Sequence, residues 1–192
     1  MTFDELYKVF ERAIRRAKTD YADTMVKIGN DALALIKMRV QEEGRDAEGK
    51  EFEPYSESDM LVGCKSMNKS VCNSYFGKQN NKKHEWVTIK RGGKNYSLAV
   101  LEGGYKKLRQ MHGRQTSHVD FTFSGAMWSN ISIISSGGEH SSGVVRLGPN
   151  NEETRKILKG NISKRGPILE LSREEIKTLS GIYKNKVKQF FV

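Results

Sequence analysis

His118 and Asp120 stand two apart in the run HVD, and on a strand that spacing puts an imidazole and a carboxylate on one face. Such a pair could pass a proton, but it supplies neither the nucleophile of a triad nor the three or four ligands a metal ion needs. His84, His112 and His140 are scattered through loop-like sequence. Glu174 and Glu175 are neighbours on a helical pattern and therefore diverge, so they cannot work as a paired acid and base. GCKS at Gly63 to Ser66 lacks the leading glycine and the spacing of a phosphate-binding loop, and no G-x-S-x-G or H-E-x-x-H is present. Cys64 and Cys72 match no zinc or redox pair, and two cysteines fit a reducing compartment better than a disulfide scaffold. The expectation is a protein with no catalytic residue, no metal and no cofactor.

The chemistry that remains is positive charge. Of 33 Lys and Arg against 23 Asp and Glu, twelve bases and only two acids fall between Met60 and His118, so the whole excess of +10 sits in that region. A field of that kind attracts something anionic, nucleic acid first, although a solvated basic loop or an acidic protein partner would use the same charges. Lys90, Arg91, Lys94, Lys106, Lys107, Arg109 and Arg114 are the candidates for facing a nucleic acid or a partner.

The elements that must position these residues are legible from periodicity. Phe3, Leu6, Phe10, Ile14, Ala17, Tyr21, Met25 and Ile28 recur at three- and four-residue steps, opened by a T-x-x-E capping box at Thr2 to Glu5. Leu33, Ile36 and Val40 carry the period past the weak point Gly29-Asn30, predicting one long helix over 1–43 or two nearly collinear ones. About 40 residues of helix span roughly 60 Å, more than one small core can cover. Phe3, Leu6, Phe10, Ile14, Tyr21, Met25 and Ile28 are therefore candidate oligomer contacts, with a helical hairpin folded on its own domain as the alternative. Residues 44–192 are expected to form the α+β domain that carries the basic region 60–118.

Gly44 to Ser58 reads as a loop anchored by Phe52 and Tyr55, and Met60 to His84 as a polar stretch with little periodicity. WVTIKRGGKNYSLAVLEGG predicts an extended hairpin turning at Gly92-Gly93, with Val87 and Ile89 across from Leu98 and Tyr96. VDFTFSGAMWSNI predicts a strand over 119–123, a Ser124-Gly125 pivot and a short helix, followed by strands at Ile131 to Ile134 and Val144 to Leu147. Asn150 or Asn151 can cap a helix through Lys159, and S-x-x-E at Ser172 to Glu175 opens the last one. The fold class is α+β: a long N-terminal helix, an antiparallel β-sheet with an extended hairpin, and C-terminal helices. No run of 18 apolar residues is present, and the first residues lack the apolar stretch of a signal peptide, so no membrane contact is expected.

Four of these stretches, in order, resemble the virion-morphogenesis or tail-completion proteins of tailed bacteriophages. They are RVQEEGRDAEGKEFEPYS (Arg39 to Ser56), GGYKKLR (Gly103 to Arg109), VDFTFSGAMWSNI (Val119 to Ile131) and RGPILELSREEI (Arg165 to Ile176). Ile168 stands where members of that family usually carry an aromatic residue. The resemblance implies a non-enzymatic structural protein that forms a homo-oligomeric ring at the head-tail junction, in the neck or tail. It further implies neighbouring portal, connector or tail proteins as partners, phosphate contact with DNA in a channel, and a place in the virion after assembly in the host cytoplasm. A basic nucleic-acid-binding protein that grips phosphates through 60–118 is the alternative.

Overall fold

The computed structural model of the chain describes residues 3–64, 69–76, 86–122, 124–139 and 142–188, and within α1 the side chains from Asp20 onward. The chain has the α+β architecture expected of it, and it divides into two compact units. One combines residues 1–52 with 120–192, and the other is residues 53–119.

In the first unit a 36-residue helix, α1 (Phe3–Met38), runs through Gly29 without a break and ends in a π-helical turn, Arg39–Glu43. The wider turn points both Arg39 and Val40 inward, and Gly44 closes it at φ 68° with its N–H on the Arg39 carbonyl. Thr24, Ala32, Leu33, Ile36, Arg39 and Val40 form the buried stripe of the helix. It packs on a two-stranded antiparallel ribbon, β4 (Ile131–Glu139) with β5 (Ser142–Pro149), and on α6 (Arg173–Lys188). Gly29 explains the close approach: a Cβ there would come within 2.6 Å of Val145 Cγ1 and 2.8 Å of Ile133 Cδ1. The ribbon shifts register between Ile133 and Ser135, a bulge that leaves Ile134 exposed while Ile131 is buried. Ala32, Leu179 and Tyr183 form a core cluster with Ile28, Leu35, Leu147 and Leu171 packed around it.

Before β4, α4 (Ala126–Ser129) buries Met127 and Trp128. Between the ribbon and α6 lies α5 (Glu152–Arg165), whose cap is Asn151: its Oδ1 accepts from Thr154 N at 2.8 Å. The capping box of α6 is formed as the sequence predicts, with Ser172 N donating to Glu175 Oε2 at 2.7 Å and Glu175 N to Ser172 Oγ at 3.2 Å. The box at Thr2 lies outside the described residues.

The second unit is a three-stranded antiparallel sheet in the order β1-β3-β2: β1 (Met60–Val62), β3 (Lys94–Leu101) and β2 (Trp86–Arg91). The hairpin turns at Gly92 and Gly93, φ 56° and 75°, and pairs Val87 with Leu98 and Ile89 with Tyr96, the register expected from the sequence. Val62, Ala99 and Leu101 pack on Cys72 and Phe76 of α2 (Lys69–Phe76), with Leu108 and Met111 of α3 (Gly104–Met111) beside them.

Four sequence expectations are corrected. Met60 to His84, read as aperiodic, contains β1 and α2, both too short for periodicity to register; residues 65–68 and 77–85 lie outside the described part. GGYKKLR, read only as a motif, forms helix α3. Cys64 and Cys72 are joined as a disulfide, with Cα atoms 5.5 Å apart. The first turns of α2 bring Cys72 back to the end of β1, a closure that spacing in the sequence does not reveal. Finally, 119–122 is not a strand. Asp120 Oδ1 accepts from Thr122 N at 2.8 Å, a local turn that competes with strand geometry, and Phe121 has φ 53°. Phe123 lies outside the described residues.

Candidate functional site

Within unit 1 the residues around Arg39 make one connected tie. Its Nε donates to Glu175 Oε1 at 2.9 Å, Nη1 to the Arg45 carbonyl at 3.0 Å and Nη2 to the Glu170 carbonyl at 2.7 Å. Both charged side chains are buried, and the carbonyls take up the guanidinium's other donors, which is what keeps a buried ion pair tolerable. Asp46 holds the following turn through Glu48 N and Lys50 N, and Ala47 N donates to the Pro167 carbonyl at 3.3 Å. The Phe52 ring meets Phe121 edge-on at 4.9 Å, and Gln41 Nε2 donates to Thr122 Oγ1 at 3.0 Å. Trp128 Nε1 donates to the Asp120 carbonyl at 3.1 Å. Three stretches far apart in sequence, Arg39 to Phe52, Asp120 to Ile131 and Arg165 to Ile176, are thereby held to one another.

A second tie lies within unit 2. Arg109 is almost completely buried, its guanidinium 4.3 Å from the Tyr55 ring centre and its Nε donating to the Gln115 carbonyl at 3.0 Å. Tyr105 meets Tyr55 at 5.5 Å, and Lys106 N donates to the Ser56 carbonyl at 3.1 Å. Gly104 is required here, at φ 56°, because a Cβ would strike the Ser58 carbonyl oxygen and lie 2.9 Å from that of Ser56. Lys106 Nζ reaches Glu57 Oε1 at 2.6 Å, and that hydrogen bond holds the Glu57 carboxyl below the usual carboxylate range.

The seven cation candidates therefore separate. Lys90, Arg91 and Lys94 are exposed together at the tip of the β2–β3 hairpin, and Arg114 is exposed after α3. Lys107 is half-buried, and Lys106 is paired with Glu57. Arg109 is a correction: it is a core side chain, not a surface one, because its charge is used to stack on Tyr55 and bind a carbonyl. Among the candidate oligomer contacts, Phe3, Leu6, Phe10 and Ile14 lie in α1 with side chains outside the described residues. Tyr21 and Met25 are half-buried, and Ile28 packs on the chain's own Ala32–Leu179–Tyr183 cluster.

The residues first considered for chemistry are held otherwise. His118 Nδ1 lies 3.1 Å from Ser117 Oγ, Asp120 supports its own turn, and Glu175 belongs to the Arg39 tie while Glu174 is exposed. Among the described residues, no three His, Cys, Asp or Glu side chains gather where a metal ion could be held, and no helix is long and apolar enough to cross a membrane. A depression lined by Glu174, Lys177, Thr178, Gly181 and Ile182 runs along one side of α6 and is open to solvent. Arg39 and Glu175 lie 136 positions apart, and no local spacing in the sequence reveals that they pair. Compared with protein-family profiles, with curated proteins and with solved structures, the chain matches none.

Proposed function

We propose that this chain is a non-enzymatic virion structural protein of a tailed bacteriophage, assembling as a ring at the head-tail junction with DNA passing through it. The observation that carries the reading is the use to which the four resembling stretches are put. Their polar and aromatic residues are consumed in two structural ties, Arg39–Glu175 and Arg109–Tyr55, while the basic charge is left displayed at the hairpin tip. Residues spent on holding a shape belong to a part that is built into something. Exposed cations gathered at a hairpin tip suit sequence-independent contact with phosphates along a channel.

The reading is tested by mass spectrometry of purified virions and by reconstruction of the neck. The chain is expected there as a closed ring with Lys90, Arg91 and Lys94 toward DNA or an adjoining ring. Its absence from purified virions removes the reading. A monomer in solution does not, because such rings can close only on a template.

A second reading, a stand-alone nucleic-acid-binding protein, is favoured by the same exposed tip. It requires duplex binding that is readily detected at about 50 mM salt and weakens steeply as salt rises. Undetectable binding under those conditions rules it out and leaves the ring reading in place.

A further inference from the structure

The two cysteines of the chain both belong to the unit of residues 53–119, and they differ in what surrounds them. Cys72, on α2, is 3% exposed and sits in the core cluster with Val62, Phe76, Ala99 and Leu101. Cys64, two residues past the end of β1, packs against that cluster and is only half-buried. Their Cα atoms stand 5.5 Å apart, a separation that a disulfide spans without moving the backbone. Of the two, Cys64 is the one that a small molecule in solution reaches. The same region holds the excess of positive charge, twelve Lys and Arg against two Asp and Glu from Met60 to His118, so a reagent drawn to it is anionic.

We infer that Cys64 is the entry point of a thiol–disulfide exchange site and Cys72 its resolving thiol, the co-reactant being a small anionic disulfide of the glutathione type. In the reduced chain the Cys64 thiolate attacks one sulfur of that disulfide. A bond forms between Cys64 and one half of the reagent, the reagent's own S–S bond breaks, and its other half leaves and takes up the proton that Cys64 lost. Cys72 then attacks the Cys64 sulfur, closing the protein disulfide and expelling the second half as a thiol with the Cys72 proton. The two protein thiols are oxidised by two electrons, and one small disulfide is reduced to two thiols. Reduction begins with an outside thiolate attacking Cys64, so one residue is the way in and the way out. The closed bond ties the end of β1 to α2 across eight positions, which removes freedom from the unfolded chain. Unit 1 contains no cysteine, so oxidation strengthens one unit and leaves the other as it was. None of this depends on the ring reading.

The test starts from the reduced full chain. Brief alkylation with a limiting amount of iodoacetamide, followed by peptide mapping, should label Cys64 roughly tenfold over Cys72, and the preference should vanish in concentrated urea. Oxidised glutathione should convert the parent chain to the internal disulfide through an adduct on Cys64. Cys72→Ser should stop at that adduct, and Cys64→Ser should react roughly tenfold more slowly. Hydrogen exchange in β1 and α2 should slow by about tenfold on oxidation, with α6 unchanged. Equal labelling of the two cysteines in the folded chain, faster reaction at Cys72, or disulfides between chains in place of the internal one each overturn the site. The alkylation uses the parent chain, so it decides even where a serine variant fails to fold. Exchange in β1 and α2 that is the same in both redox states overturns the tie.

Discussion

Arg39 and Glu175 show how much depends on a few buried atoms. A guanidinium and a carboxylate taken out of water are tolerable only while both keep their partners, and Arg39 binds three groups, the Glu175 carboxylate and the Arg45 and Glu170 carbonyls. Arg39→Met leaves the Glu175 carboxylate buried opposite a thioether, and a loss of about 3–5 kcal/mol in urea unfolding is expected. Glu175→Gln, which keeps the shape and one acceptor, should cost less. Tyr183 offers a second test at this scale. Its hydroxyl donates to Asp31 Oδ2, and that bond raises the phenol from 10.0 to about 12. Ionisation would set a phenolate against a carboxylate, so the folded state favours the neutral phenol. Its contribution is whole below pH 10 and disappears as pH climbs through about 12. Tyr183→Phe should therefore cost about 1 kcal/mol at pH 8, and the difference from the parent should vanish toward pH 12, read from unfolding midpoints at several pH values.

At the scale of elements, what the sequence disclosed and what it hid divide along physical lines. Long periodic segments were readable: α1, the β2–β3 register, the Asn151 cap and the Ser172–Glu175 box follow from local chemistry alone. β1, α2 and α3 were not, because elements of three to eight residues are decided by what they pack on. The supposed strand at 119–122 failed for the complementary reason. Alternation of Val119 and Phe121 is a strand signal only when a neighbouring strand takes the backbone hydrogen bonds, and the Asp120 turn takes them first. Of the candidate surface, the hairpin tip was legible as charge, whereas the burial of Arg109 depended on Tyr55, 54 positions earlier. Gly29 makes a sharp comparison. In a helix interior, Gly→Ala normally gains close to 1 kcal/mol. Gly160→Ala in α5 meets no atom within 4 Å and should show about that gain. Gly29→Ala drives a methyl into Val145 and Ile133 and should instead destabilise by roughly 1 kcal/mol, so the two substitutions should move the melting temperature in opposite directions.

For the whole molecule, the division of charge is the feature with the widest reach. Lys90→Glu, Arg91→Glu and Lys94→Glu together convert the hairpin tip without touching a core side chain. If phosphates are what the tip meets, affinity for duplex DNA should fall and the slope of log affinity against log salt should shrink by about 3, measured by fluorescence anisotropy. Unfolding midpoints should stay within about 0.5 kcal/mol of the parent.

The connectivity of the first unit also sets an order of events. Its two halves, residues 1–52 and 120–192, are separated in the chain by the whole of the second unit. A ribosome adding about 5–20 residues per second delivers Glu175 roughly 7 to 30 seconds after Arg39. During that interval α1 has emerged without the ribbon and helix that cover Ala32 and Ile36, whereas residues 53–119 already hold every strand of their own sheet. The later-numbered unit is thus the first able to mature at the ribosome. Until those later elements arrive, the buried stripe of α1 has none of the partners that cover it in the folded chain.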